Sequence, residues 1–215
     1  MHRSDQVAAN LAAVRGRIER AGGDPDAITI VAVSKGQPAD ACRAAVEAGL
    51  TVLGENRVQE ALSKMDELAG ATWHLIGHLQ TNKARHASRF ALVQSLDSQR
   101  LAQALAAHGR VAALLEVNVS REAQKHGVAP ERAIEVAADV AGLVDLRGLM
   151  GMGPAAGDPR PAFAELRRLR DEAEQRLARR LPVLSMGMSE DLEAAVAEGT
   201  TMVRIGRALF GPRPA

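Results

Sequence analysis

Short apolar runs alternate along the chain with Ala-, Arg- and Glu-rich stretches whose apolar residues recur at helical spacing. A helix is predicted over about 4–20, and a second from Ala39 to about Ala48, where Gly49 is typical of a helix end. The runs predicted to be strands are Ile28–Lys35, Thr51–Glu55, Thr72–Ile76, Leu92–Leu96, Ala112–Val119, Asp145–Met150, Val183–Met186 and Met202–Ile205. Each is followed by a helical pattern or, after the last, by a short turn at Arg207–Leu209.

Strands that alternate with helices predict a parallel sheet with right-handed crossovers. Eight such units favour a closed barrel over an open doubly wound sheet. An open sheet is expected to carry a Gly-rich phosphate loop after its first strand, and Ser34-Lys-Gly-Gln-Pro38 is not such a loop. No linker divides the chain, since Gly151–Pro161 is interpreted as a single loop. We therefore predict an α/β protein with one domain over residues 1–215, a TIM-type (β/α)8 barrel with an extra N-terminal helix.

Lys35 is the most informative residue for chemistry, because active sites of such barrels lie at the carboxyl ends of the strands. Side chains alternate along a strand, so Val31, Val33 and Lys35 share a face. Branched apolar residues fill barrel interiors, and Lys35 is therefore expected at the top of an interior column. A partly desolvated lysine there can condense with a carbonyl. A solvated lysine at a strand end is the alternative, and position alone does not exclude it.

The segment after the seventh strand carries a candidate anion site. Ser189 is placed as the N-cap of a helix, with Glu190 and Asp191 in its first turn. The unpaired N–H groups at a helix N-terminus suit phosphate. Simple capping with no ligand explains the same residues.

The eighth strand places Arg204 on the same face as Met202 and Gly206, which is the expected interior face. A buried arginine is costly without a partner, and Gly206 lets a ligand approach the backbone. Together with Ser189 these residues are interpreted as a phosphate cup with a cationic donor deeper in the barrel. The alternative is an Arg204 paired to a core carboxylate.

Histidines give no metal site in this interpretation. His74 and His78 have i, i+4 spacing, but on a strand they lie roughly 13 Å apart, too far for one ion. The sequence holds no supporting Cys/Asp cluster. The histidines predicted to lie at the surface, in helices or loops, are His86, His108 and His126.

Composition narrows the function classes. A net charge of +1 and 2% aromatic residues argue against nucleic-acid binding. A single cysteine, Cys42, cannot form an internal disulfide, which favours a reducing compartment, and it is expected to be a small core residue. No apolar run reaches the roughly 20 residues of a membrane span, and no signal peptide is recognised. We therefore expect a cytoplasmic, soluble protein with neither nucleic-acid nor membrane partners.

Several stretches, taken in order, resemble the YggS/PROSC family of pyridoxal-phosphate-binding proteins, also called pyridoxal phosphate homeostasis proteins. These stretches are Val31-Ala-Val-Ser-Lys35, Gly54-Glu-Asn-Arg-Val-Gln-Glu60, Trp73–Lys83, Val117-Asn-Val-Ser120, Lys125-His-Gly127, Arg147-Gly-Leu-Met150, Leu184–Ser189 and Val203-Arg-Ile-Gly206. Each motif is weak by itself, but the ordered set spans nearly the whole chain and is specific.

The resemblance implies that pyridoxal 5'-phosphate (PLP) is bound as an aldimine of Lys35, with Arg204 facing the pyridine nitrogen. It implies that Asn56 lies beside the ring and that the phosphate is held by Ser189, Gly206 and residue 207. Position 207 is usually a small hydroxyl residue in this family and is Arg207 here, which leaves open a side-chain or a backbone contact. Arg57 and the stretch Gly151-Met-Gly-Pro154 also depart from the commoner pattern.

The family resemblance implies a role in PLP homeostasis, and we expect a monomer that holds the cofactor and delivers it to apo-enzymes without catalytic turnover. The alternative is a PLP-dependent alanine racemase, because the barrel and lysine look like the N-terminal domain of such enzymes. A racemase of that type pairs its lysine with a tyrosine from a second domain, and this sequence contains no tyrosine. An arginine at the ring nitrogen also weakens the cofactor as an electron sink. A lysine-dependent aldolase, a third class, would not need the phosphate cup.

Overall fold

Eight parallel strands close into one barrel in which neighbours in the chain are neighbours in the sheet and the last strand pairs with the first. The computed structural model describes residues 2–212. The strands are β1 (Thr29–Val33), β2 (Val52–Glu55), β3 (Thr72–Leu75), β4 (Leu92–Leu96), β5 (Ala112–Val117), β6 (Asp145–Gly151), β7 (Val183–Ser185) and β8 (Met202–Ile205). The predicted (β/α)8 architecture is confirmed.

Helices form the outer layer of the barrel. They are α1 (Arg3–Arg20), α2 (Ala39–Glu47), α3 (Val58–Met65), α4 (Gln99–Ala106), α5 (Ala133–Val140), α6 (Arg160–Leu177), α7 (Leu192–Ala197) and α8 (Arg207–Phe210). Two 3₁₀ helices, Thr81–Arg89 and Pro130–Arg132, occupy the connections after β3 and β5. The predicted N-terminal helix is α1, which packs on α2 and α8. None of the helices of residues 2–212 is long and apolar enough to cross a membrane.

Two predicted strand ends are wrong by two residues. β1 ends at Val33, so Lys35 lies in the turn that follows the strand. The chain turns there because the Gln37 amide donates to the Ser34 carbonyl at 2.9 Å and Gly36 adopts a φ of 70°, which glycine tolerates best. β5 similarly ends at Val117 rather than two residues later.

The strands divide the apolar residues between two cores. The smaller core fills the barrel interior and consists of Val31, Leu92, Leu114, Met150 and Met202. The larger core lies between the barrel wall and the helices, and it includes the fully buried Cys42. The interior position of Val31 confirms the predicted facing of the first strand. By alternation, Val33 continues the same column toward the barrel mouth, and Lys35 follows it in the turn.

Candidate functional site at the barrel mouth

Lys35 lies at the mouth between the segments that follow β8 and β2. β1 pairs with both of these strands, Val31 opposite Arg204 and Val33 opposite Gly54. A Cβ built on Gly206 would lie 3.4 Å from the Cβ of Val33, so Gly206 continues the interior face of β8 next to the column of Lys35. Lys35 itself is partly buried. The closed sheet therefore brings Lys35, Arg204 and Gly206 to one region of the mouth.

Asn56 directly follows β2 and contributes a polar atom without a partner. Its Oδ1 is buried and accepts no hydrogen bond from any residue in the range 2–212. The neighbouring loop is packed tightly here, since a Cβ on Gly77 would lie 2.4 Å from the Asn56 carbonyl oxygen, and only glycine fits. An unsatisfied buried acceptor costs about 1–3 kcal/mol. A ligand with a donor at this point would remove that cost.

Arg204 points into the barrel and is buried, with 5% of the residue exposed. Its Nη1 donates to Ser185 Oγ at 2.6 Å and its Nη2 donates to the Gly151 carbonyl at 2.9 Å. Burial lowers the pKa of Arg204 to about 10, an effect opposed by the nearby Glu116 and Asp191. The guanidinium is therefore a desolvated cation oriented by β6 and β7, and its hydrogen-bonded partners are neutral groups rather than a core carboxylate.

A chain of buried polar side chains continues from Arg204 across the barrel. Ser185 Oγ donates to Gln94 Oε1 at 2.7 Å, and Gln94 Nε2 contacts His74 Nδ1 at 3.1 Å. Each donor in this chain points away from Arg204, so Gln94 Nε2 donates and His74 Nδ1 accepts. An imidazole that accepts at Nδ1 is neutral. Burial lowers the pKa of His74 to about 4, so the imidazole is in this neutral form at neutral pH. The sequence interpretation missed this chain, although polar residues at interior positions of consecutive strands are a readable signal.

Ser189 is not the N-cap that the sequence predicted. α7 begins at Leu192 with Asp191 as its N-cap residue, because the Asp191 carboxylate turns back to accept the Met188 amide at 2.5 Å. The Ser189 hydroxyl instead accepts the Ala208 amide at 3.4 Å. This contact joins the loop after β7 to the turn after β8, so the structure brings Ser189 and Gly206 together by a different route.

Arg207 directs its guanidinium to the surface. Its Nη1 pairs with Glu190 Oε1 at 3.1 Å, and 78% of its side chain is exposed. The backbone of Arg207 stays next to Gly206, at the start of α8.

A second polar cluster at the mouth joins three loops across the barrel from Lys35. His78 Nδ1 lies 3.0 Å from Asp97 Oδ2, and the ring of the exposed His126 stacks on that of His78 with centroids 4.4 Å apart and planes at 13°. The candidate ligand atoms of the three residues lie within 4.8 Å of one another. Two imidazoles that bind one ion must both hold it in their ring planes, and nearly parallel planes do not meet near the rings. We therefore assign no metal to this cluster.

The comparisons with known proteins are decisive for the family. A model of the alanine racemase N-terminal domain matches residues 3–214. The pyridoxal phosphate homeostasis protein of Pseudomonas aeruginosa is 46% identical over 96% of each chain, and that of Escherichia coli K12 is 40% identical over 97% of each chain. The chain belongs to the pyridoxal phosphate homeostasis protein family. The relatives are named for homeostasis of the cofactor and not for a reaction.

Solved structures extend the likeness of this family member. The cofactor-free structure of PipY from Synechococcus elongatus superposes with a TM-score of 0.87 at 37% identity, over 95% of this chain and 100% of that chain. PipY has also been solved with PLP bound, at a TM-score of 0.81 and 36% identity over the same shares. Alanine racemase from Corynebacterium glutamicum has a TM-score of 0.78 at 16% identity, over 99% of this chain and 62% of that chain, and therefore shares the fold.

Two buried groups in this family member give opposite pH dependences of stability. Burial lowers the pKa of His74 from 6.5 to about 4, and burial raises the pKa of Glu116 from 4.5 to about 7. As pH falls from 6.5 to 4.5, the unfolded chain protonates His74 while the folded protein stays largely unprotonated there, which destabilises the fold by about 2 kcal/mol. Over the same range the folded protein binds its proton on Glu116 more tightly than the unfolded chain does, which stabilises the fold by a similar amount, about 2 kcal/mol.

We expect the two effects to cancel in the wild type and to separate in single variants. Urea unfolding of His74→Gln should show stability that rises relative to wild type as pH falls from 6.5 to 4.5. Glu116→Gln should show the opposite trend over the same range. Parallel profiles for all three proteins would contradict the assigned protonation states.

Proposed function

We propose that this protein binds PLP as a Schiff base with Lys35 and serves intracellular vitamin B6 homeostasis by holding the cofactor and releasing it to apo-enzymes. The observation that carries the proposal is the pairing of β8 with β1, which sets a buried Arg204 and the open Gly206 beside the column that ends in Lys35. The PLP-bound structure of PipY supports the choice of ligand.

The residues at the mouth fit PLP in three respects. The unsatisfied Asn56 Oδ1 can accept a donor beside the ring. The Ser189 hydroxyl, which accepts the Ala208 amide, still has its own proton to donate to a phosphate, and the Arg207 amide at the start of α8 is a second neutral donor. Arg204 supplies a buried cation at the depth of the ring nitrogen, where it keeps that nitrogen unprotonated. Bound PLP supplies an aldehyde, and the Lys35 amine condenses with it and releases one water.

The same residues support a carrier without turnover. An unprotonated ring nitrogen is a weak electron sink, so the cofactor held by Arg204 stabilises a substrate carbanion poorly. The sequence also contains no tyrosine to serve as a second base. The racemase alternative rests on the shared fold alone, at 16% identity to a solved alanine racemase.

The deciding experiment is a titration of the purified protein with PLP, followed by absorption in the near-visible region. We expect an absorption band of the lysine adduct and, after borohydride reduction and peptide mapping, a modified Lys35. Alanine racemisation by the loaded protein should stay at background. A colourless mixture would overturn the proposal, and turnover at about 1 s⁻¹ or above would favour the racemase.

Arg207 tests how the phosphate is held. Its guanidinium is exposed and paired with Glu190, so Arg207→Ala should leave the PLP dissociation constant within about threefold of wild type, since exposed ion pairs contribute about 0–1 kcal/mol. Arg207→Ser adds a hydroxyl donor next to Gly206 and should tighten binding. Equilibrium dialysis measures both. A tenfold or greater loss in Arg207→Ala would show that the side chain itself contacts the phosphate.

A further inference from the structure

A buried charged network lies behind the barrel wall, directly beneath the turn that carries Lys35. Its centre is Lys64 of α3, whose ammonium donates to Glu55 Oε1 at 2.6 Å, to Glu60 Oε1 at 2.9 Å and to the Ser34 carbonyl at 2.9 Å. Lys64 and Glu55 are 7% and 0% exposed. An ammonium has three protons, so Lys64 is fully saturated by these acceptors. The resemblance assigned no role to Lys64, Glu55 or Glu60, although both glutamates lie in the family-like stretch Gly54–Glu60.

The network holds the chain on both sides of Lys35. On one side, Ser34 Oγ donates to Glu55 Oε1 at 2.7 Å, and the Ser34 carbonyl accepts from Lys64. On the other side, the Gly36 amide donates to Glu60 Oε1 at 2.6 Å. The residues before and after Lys35 are thus each bonded to a charged group. The Ser34 hydroxyl thus points into this network, and Lys35 occupies the turn position between its two bonded neighbours.

Hydrogen bonds favour the ionised forms of Glu60 and Lys64, whereas burial raises the pKa of Glu55. Burial would raise the pKa of Glu60, but its bonds from Lys64 and Gly36 outweigh burial and hold that pKa below its ordinary value. Burial would lower the pKa of Lys64, and the bonds to Glu55 and Glu60 raise it instead. The carboxylate that touches the Gly36 amide is therefore ionised at neutral pH. A charged acceptor gives the stronger and shorter kind of hydrogen bond.

Such a network is a poor device for stability alone. The desolvation of buried ions offsets most of their attraction, and apolar residues of similar volume often stabilise a fold as well or better. Here one carboxylate oxygen, Glu55 Oε2, is buried without a partner among the described residues, which adds to the cost. The retained charges instead deliver directional bonds to three points of one short turn. These bonds fix the conformation of the turn, which indicates that the network positions the turn rather than stabilises the fold.

We infer that Glu60, with Lys64 and Glu55, is a positioning device that sets the Lys35 turn for attack on the carbonyl carbon of its ligand. The inference rests on the proposed function, because it concerns the condensation of Lys35 with an aldehyde. In that step the Lys35 nitrogen forms a bond to the carbonyl carbon, and the carbonyl oxygen leaves as water. Reactions of this kind are sensitive to placement, and a misplacement of about 1 Å can cost about a hundredfold in rate.

The test uses Glu60→Ala, because Glu60 is partly exposed and its loss leaves the buried Lys64–Glu55 pair intact. Stopped-flow absorption should show PLP condensation slowed at least tenfold. Binding of pyridoxine 5'-phosphate, whose alcohol cannot condense, should stay within about threefold of wild type. In the cofactor-free protein, hydrogen exchange should show that the Gly36 amide has lost its protection.

Two matched variants separate positioning from general damage. Glu60→Gln keeps an oxygen acceptor and should restore both the rate and the Gly36 protection to within about threefold of wild type. Glu67→Ala, an exposed glutamate just after α3, should behave as wild type. A wild-type rate in Glu60→Ala would overturn the positioning role, as would an equal loss of pyridoxine 5'-phosphate affinity. A wild-type chain that forms no adduct would overturn the proposed function itself.

Discussion

Lys35→Ala is expected to abolish the near-visible absorption that PLP gives with the wild-type protein. The chain has four lysines, and two of the others are committed elsewhere. Lys64 donates all three protons within its buried network, and Lys125 donates to the Gly153 carbonyl and pairs with Glu122. The other two are Lys83, in the 3₁₀ helix after β3, and Lys35, which the proposed function assigns to the carbonyl. Absorption spectra and mass spectrometry after borohydride reduction measure the loss.

Lys83→Ala is the matched control for this experiment. Lys83 lies in the 3₁₀ helix after β3, and its ammonium donates to Gln59 at 3.2 Å on the exposed side. Its substitution should leave both the spectrum and the reduced adduct unchanged. A PLP adduct that persists in Lys35→Ala and maps to another lysine would refute the role of Lys35. We also expect noncovalent PLP binding to survive in Lys35→Ala, at least tenfold weaker.

Arg204→Met should give the second large effect, on both stability and the cofactor. The substitution leaves Ser185 Oγ and the Gly151 carbonyl without their buried donor and removes the cation near Glu116. Losing one partner of buried polar and charged contacts costs about 3 kcal/mol or more. Urea unfolding should show that loss, and the absorption spectrum with PLP should be shifted or absent. The pKa of Glu116 should also rise further above 7.

Arg204→Lys is a second variant that tests the role of Arg204 if Arg204→Met does not fold. It keeps a buried cation, but one ammonium cannot reproduce the two directed bonds to Ser185 and Gly151. It should therefore fold better than Arg204→Met and still show an altered PLP spectrum. A spectrum identical to wild type in a folded Arg204→Lys would remove the assignment of Arg204 to the ring nitrogen.

Strand parity was the part of the site that the sequence predicted well. The two-residue period placed Val31 and Arg204 on the interior face, and the barrel confirms both positions. The expectation that the site lies at the carboxyl ends of the strands came from the barrel architecture and stays a prediction. Parity depends only on local backbone geometry, and a single sequence therefore reveals it.

Contacts between segments that are far apart in the sequence could not be predicted from strand parity. Ser189 looked like a helix cap because its neighbours are acidic, but Asp191 forms the turn and Ser189 bonds to Ala208. The bonds of Lys64 to Ser34 and Glu55 join residues 30 and 9 positions apart, and no local pattern specifies them. The end of β1 was missed for a related reason, since the turn at Lys35 is set by these distant partners as well as by Gly36.

The filled interior of the barrel also governs how any molecule held at the mouth travels. Three interior apolar residues close the barrel on its amino-terminal side. Each lies two positions before a polar interior residue of the same strand, and they are Leu92, Leu114 and Met202. Entry and departure then share one opening, framed by the loops that carry Lys35 and Ser189. A molecule bound at the mouth therefore enters and leaves past these two loops, and the proposed transfer to an apo-enzyme would take place on this side of the barrel.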